Sequence, residues 1–133
     1  MTAMMPLGTE SVQLTFPPYA EYLRTVRLVA ADAAGRAGLD VDEVEDFRIA
    51  VDELCHLLMS GTDHSVTVAF GVSGACVLAR GTARARMLAG LSELPPLPLA
   101  IVRSVADYFE SSVDDGELTF SVMKRHWALA VQR

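Results

Sequence analysis

The segment from Asp40 to Met59, DVDEVEDFRIAVDELCHLLM, constrains this chain more than any other. Val44, Phe47, Val51, Leu54, Cys55 and Leu58 recur at three- and four-residue steps, the apolar stripe of a long amphipathic helix. Asp40 is placed to cap it, with Glu43 three residues later as the other half of a capping box. Glu45, Arg48, Asp52 and His56 share a polar face, where Arg48 and Asp52 can form an i,i+4 pair of roughly a few tenths of a kcal/mol. A third face carries Asp46, Ala50, Glu53 and Leu57, and a site would be built there. A stripe this long needs another layer to cover it, which commits the rest of the chain to a packed domain.

The remaining segments supply that layer. Val12, Leu14 and Phe16 alternate with polar residues as in a half-buried strand, which Pro17-Pro18 stop. From Tyr19 a helical stripe runs through Tyr22, Leu23, Val26, Val29, Ala30 and Ala33, leaving Glu21, Arg24 and Arg27 in solvent. Beyond Gly61, Val66, Val68 and Phe70 alternate, Gly71 and Gly74 bracket a turn, and Cys76–Ala79 continues as an apolar strand. Arg80–Leu94 reads as an irregular, lightly basic loop, in which Arg80, Arg84 and Arg86 are solvated. Leu99, Val102, Val105, Ala106 and Phe109 mark a third helix. Asp114-Asp115-Gly116 is a turn, and Leu118, Phe120 and Val122 alternate after it. His126–Val131 either continues that strand or returns as another. The order predicts an α/β two-layer sandwich, a mixed sheet with one face covered by three helices.

At 133 residues the chain is one domain long, with about the first ten residues expected to be flexible. Eleven Lys and Arg against 17 Asp and Glu give a formal charge of −6, which disfavours a nucleic-acid partner. Cys55 and Cys76 lack CxxC spacing and sit in apolar runs, the usage expected of a reducing cytoplasm. No apolar run approaches the roughly 20 residues of a membrane span, and MTAMMPLGTE has no signal-peptide pattern. Adjacent helix positions point apart, so Cys55-His56 does not make a metal site, and none is expected. His64 and His126 read as surface or strand residues, and Tyr108 and Trp127 as core aromatics.

The element order, with FRIAVDELCHLLM after the long first helix, resembles the bacterial anti-sigma factor kinases, serine/threonine protein kinases of the GHKL ATPase superfamily with the Bergerat, histidine-kinase-like fold. In that family the second helix carries a Glu that positions or activates the nucleophile and, four residues later, an Asn that ligates magnesium. Here the Glu matches as Glu53, while Leu57 stands in place of the Asn, and an aliphatic side chain offers no oxygen to a hard cation. The family's adenine-binding Asp, two residues before a Gly at a strand end, has its counterpart in Ala79-Arg80-Gly81, with the Gly kept and the Asp replaced. Its Gly-Leu-Gly-Leu phosphate loop corresponds to Pro96-Leu97-Pro98-Leu99, with both glycines replaced by proline.

The resemblance therefore implies a cytoplasmic regulator that sequesters a sigma factor and is released by an anti-anti-sigma factor, with its ATP site degenerate, Glu53 a vestige and no cofactor required. It also implies a homodimer, for which the Val12–Phe16 strand and first helix are the candidate surface, and places Arg24 and Arg27 near partner surfaces. The alternative it leaves open is an active kinase that phosphorylates the anti-anti-sigma factor with ATP and magnesium.

Overall fold

A computed structural model describes Leu7, residues 10–86 and residues 96–127. The chain forms β1 (Ser11–Phe16), a short 3-10 turn (Ala20–Tyr22), α1 (Leu23–Arg36), α2 (Val41–Ser60), β2 (Val66–Ser73), β3 (Cys76–Arg84), α3 (Pro96–Val105), β4 (Tyr108–Asp114) and β5 (Glu117–Arg125). The five strands make one sheet in the order β1-β2-β3-β5-β4. Every neighbouring pair is antiparallel, so the two-layer sandwich expected from the sequence has an antiparallel sheet where a mixed one was expected.

Two tight turns set the register. Gly74 at φ +60° turns β2 into β3, so β2 runs through Gly71 to Ser73 and the turn is tighter than the Gly71–Gly74 span. Asp115 and Gly116 both adopt positive φ between β4 and β5, the two-residue geometry that matches strand twist. In this register Val66, Val68 and Phe70 of β2, Val77, Ala79 and Ala83 of β3, and Leu118, Phe120 and Val122 of β5 all lie within one core cluster. α2 lies across them and packs against α1 on one side and α3 on the other. Phe47 of α2 meets Phe70 edge-on at 6.3 Å between ring centroids.

Five further expectations fail. Arg80–Arg84 belongs to β3 and not to a loop, and residues 87–94 of the predicted loop lie outside the described residues. Phe109 leaves the helical stripe: α3 stops at Val105, and Phe109 stacks on Phe120 from β4. Tyr22 sits in the 3-10 turn before α1 and is exposed. Arg48 pairs with Glu45 at 3.0 Å, while Asp52 turns to Arg27 of α1 at 2.8 Å, so the Arg48–Asp52 pair does not form. Trp127 and Tyr108 are exposed, against the expectation of core positions. Residues 128–131 of the last segment lie outside the described residues, as does most of the first ten.

Candidate functional site

α2 carries Glu43, Asp46, Asp52, Glu53 and Leu57. The capping box forms as expected: Asp40 accepts from Glu43 N and the Glu43 carboxylate accepts from Asp40 N, both within 2.9 Å. Glu43 does more than close the helix. Its Oε1 also meets His126 Nδ1 at 2.8 Å, and its Oε2 accepts from Trp127 N at 2.5 Å. Burial works to raise the Glu43 carboxyl, but the hydrogen bonds from His126 and the two backbone N–H groups, with the nearby imidazole charge, outweigh it and hold the group below 4.5. The start of α2 and the end of β5 are thereby fastened together. The sequence signal for this was a lone His followed by Trp just past a strand, which pointed nowhere until the fold brought it to Glu43.

Further along α2 the third face divides. Ala50 and Leu57 are buried, Leu57 completely, whereas Asp46 and Glu53 stay partly open. Asp46 accepts from Lys124 Nζ at 3.2 Å, and the same ammonium donates to Val105 O at the end of α3. Glu53 lies 3.6 Å from His56 Nδ1, which also lies 3.8 Å from Asp52. These three side chains are close enough together to be considered for a metal, but exposed acidic groups commonly gather so without one. Cys55, on the opposite side of Glu53, is fully buried; burial above all, with the Asp52 charge, pushes its thiol up to about 12 against the opposing charge of Arg27. It is a core residue with no nucleophilic character at neutral pH.

The sequence-derived nucleotide positions do not converge on one strand end. Ala79 and Gly81 lie in the middle of β3, because the strand continues to Arg84. Ala79 is fully buried, and a Cβ on Gly81 would run into Leu58 and lie 2.7 Å from Leu54 of α2. Both positions carry the close approach of helix to sheet. Pro96-Leu97-Pro98-Leu99 forms the first turn of α3, so two of its first three positions have no N–H to offer an anion, and Leu97 projects into solvent.

Arg84 and Arg86, expected in a solvated loop, are engaged. Arg84 Nη1 donates to Asp115 O, and Arg86 reaches Asp63, Ser60 O and Thr62 O around the end of α2. Arg80 donates to Ser121 across the sheet. Arg24 and Arg27 lie on α1 as expected; Arg24 is exposed and Arg27 is half-buried by its bond to Asp52, which raises its pKa. Among the described residues no helix is long and apolar enough to cross a membrane.

No protein-family model matches the chain. Over 46 residues it is 39% identical to the serine-protein kinase RsbW of Bacillus cereus strain AH187, and to the same degree to those of Bacillus thuringiensis strain Al Hakam and Bacillus anthracis strain CDC 684. The match takes in 35% of this chain and 29% of the relatives' length, so it covers under a third of each relative. In three dimensions the chain is similar to a crystal structure of the RsbU and RsbW domains of Rv1364c from Mycobacterium tuberculosis, with a TM-score of 0.68 and 21% identity, over 88% of this chain and 32% of that one. The resemblance to the anti-sigma factor kinases holds at this level: a segment homologous to RsbW within a Bergerat-type α/β fold.

Proposed function

We propose that the chain is an anti-sigma-factor-like regulator that acts by protein binding and performs no nucleotide chemistry. The observation that supports this most is Leu57, fully buried one helical turn beyond Glu53, where the family's magnesium ligand would stand. Glu53 without a metal or a phosphate cradle is a carboxylate with nothing to activate. The prolines at the start of α3 support the same reading.

Regulation then proceeds by occupancy. A sigma factor is held until an anti-anti-sigma factor competes for the chain, and mutually exclusive binding alone shifts the free sigma population. Arg24 and Arg27 on α1 are the proposed partner contacts, and a homodimer through the β1 edge and α1 is the proposed assembly. The setting is cytoplasmic, with no cofactor and no nucleic acid.

Calorimetric titration with ATP and magnesium tests the reading. No heat of binding is expected. Micromolar affinity, or transfer of phosphate to a serine of a partner, would replace it with the active-kinase reading.

A further inference from the structure

Val66, Val68 and Phe70 point from β2 into the core beneath the helices, so Thr67, Ala69 and Gly71 point to the opposite face of the sheet. A face that no helix covers is expected to be open to water. At its centre this one is closed: Ala69 is 9% exposed, Leu78 of β3 7%, and Ser121 of β5 not at all. Leu78 cannot owe its burial to its partner on β2, because that partner is Gly71, which has no side chain. What lies over Gly71 is Leu7, whose carbonyl oxygen is so near that a Cβ on the glycine would run into it. Gly71, Leu78, Met123 and Tyr108 are register partners and form one row across β2, β3, β5 and β4. On the two sides of that row, Glu110 Oε2 and Arg125 Nε are withdrawn from water without a hydrogen-bond partner among the described residues. We infer that Met1–Leu7 is a strap that closes this face, seated at Gly71 and directed along the row toward β4, so that a protein partner reaches the row only by displacing it.

Three stretches outside the described residues could take that place, and their points of attachment separate them. Residues 87–95 join Arg86, which is bound to Ser60 O and Thr62 O at the end of α2, to the start of α3. Residues 128–133 follow Trp127, whose N–H is held by Glu43 of α2. Both leave from the helix layer, whereas Met1–Pro6 leads into Leu7 on the other face. The first seven residues, MTAMMPL, carry no charged side chain and supply Met1, Met4, Met5 and Leu7 to an apolar row. Unbranched methionines suit a surface that sets a glycine beside a leucine. The reach is sufficient, since six extended residues span up to about 20 Å and three strand spacings come to about 14 Å. A second copy is the poorer occupant, because it would first have to clear Leu7 from Gly71.

This inference does not depend on the regulatory reading, and the nucleotide titration leaves it untouched. Cys76 reports on the face: it lies opposite Arg125, and its Sγ is 3.7 Å from Met123 Sδ. Cys55, buried and with its thiol pushed up to about 12, stays silent. The probe is Ellman's reagent, added to the whole chain under native conditions. Met4→Asp and Met5→Asp together should raise the rate of Cys76 modification about tenfold or more by favouring local opening. Gly71→Ala, whose methyl would press on Leu7 O, should raise it as well. Should Gly71→Ala fail to fold, as judged by the loss of a cooperative urea transition, the methionine pair carries the test alone. Leu91→Asp and Leu129→Asp, in the two rival stretches, should leave the rate unchanged. An unchanged rate in the methionine variant, or an equal rise in either rival, would overturn the proposal. So would a rate in the unaltered chain that climbs on dilution as the sedimenting mass falls, which would give the row to a second copy.

Discussion

Two carboxylates on α2, Glu43 and Glu53, have opposite surroundings. Glu43 is buried and accepts from Asp40 N, Trp127 N and His126, so all of its capacity goes into joining the helix start to the end of β5. Glu53 is mostly buried, its side chain 18% exposed, yet its near neighbour His56 stands at 3.6 Å, beyond good hydrogen-bond range. The family resemblance draws attention to Glu53, yet the residue with structural work is Glu43. A carboxylate's importance is better judged from the groups that converge on it than from the motif it matches.

Position 57 offers the largest test. Leu57→Asn restores the family's residue type one turn beyond Glu53, but puts an amide where the side chain is fully buried. The loss of packing and the unsatisfied polar group should cost about 3–5 kcal/mol in urea unfolding, with no gain of affinity for ATP and magnesium. A stable Leu57→Asn protein that bound the nucleotide would mean that the third face of α2 is a site still open to repair, and the contrast between the two glutamates would collapse.

Glu43→Ala should follow at about 2–3 kcal/mol, because it leaves three donors without their acceptor. Its pH signature separates charge from shape. The folded protein holds Glu43 below 4.5, so its ionisation contributes in full above that value and is lost as the pH falls through the lower folded one. Thermal unfolding of the unaltered chain should therefore weaken on acidification in this range more steeply than that of Glu43→Gln. Equal slopes would show that the contacts of Glu43 do not depend on its charge.

The capping box, the α2 stripe and the alternation in β2 and β5 were legible because each is set by residues near in sequence. The Glu43–His126 contact was not, since it joins residues that only the finished sheet brings together. The same holds for Arg27–Asp52, where packing of α1 on α2 displaces the local Arg48–Asp52 pair. Arg80–Arg84 was read as loop because its inward positions, Gly81 and Ala83, lack apolar bulk. Gly81 is small because Leu54 and Leu58 of α2 lie close above it, a fact of tertiary packing, and Ala83 is buried beside it. Gly81→Ala should accordingly cost about 1–3 kcal/mol by pressing on Leu54 and Leu58, although alanine does not disfavour a strand by more than a fraction of that. A neutral result would mean that the helix can lift from the sheet and that the alignment of Gly81 with a nucleotide motif needs another explanation.

Glu53→Gln is the smallest expected effect and the sharpest test of the contrast. The substitution keeps the side chain's size and removes its charge, so it acts on the long contact with His56, whose side chain is 46% exposed. The pair is open on the histidine side and exceeds hydrogen-bond distance, so it is worth about 0–1 kcal/mol and the unfolding free energy should change by less than about 1 kcal/mol. The change should be smaller still in high salt. If instead Glu53→Gln lost as much stability as Glu43→Gln, Glu53 would have to be gripped by groups beyond His56. If stability held while binding of a protein partner fell, the carboxylate would belong to a partner surface, and the position matching the family's catalytic Glu would have been kept as a contact.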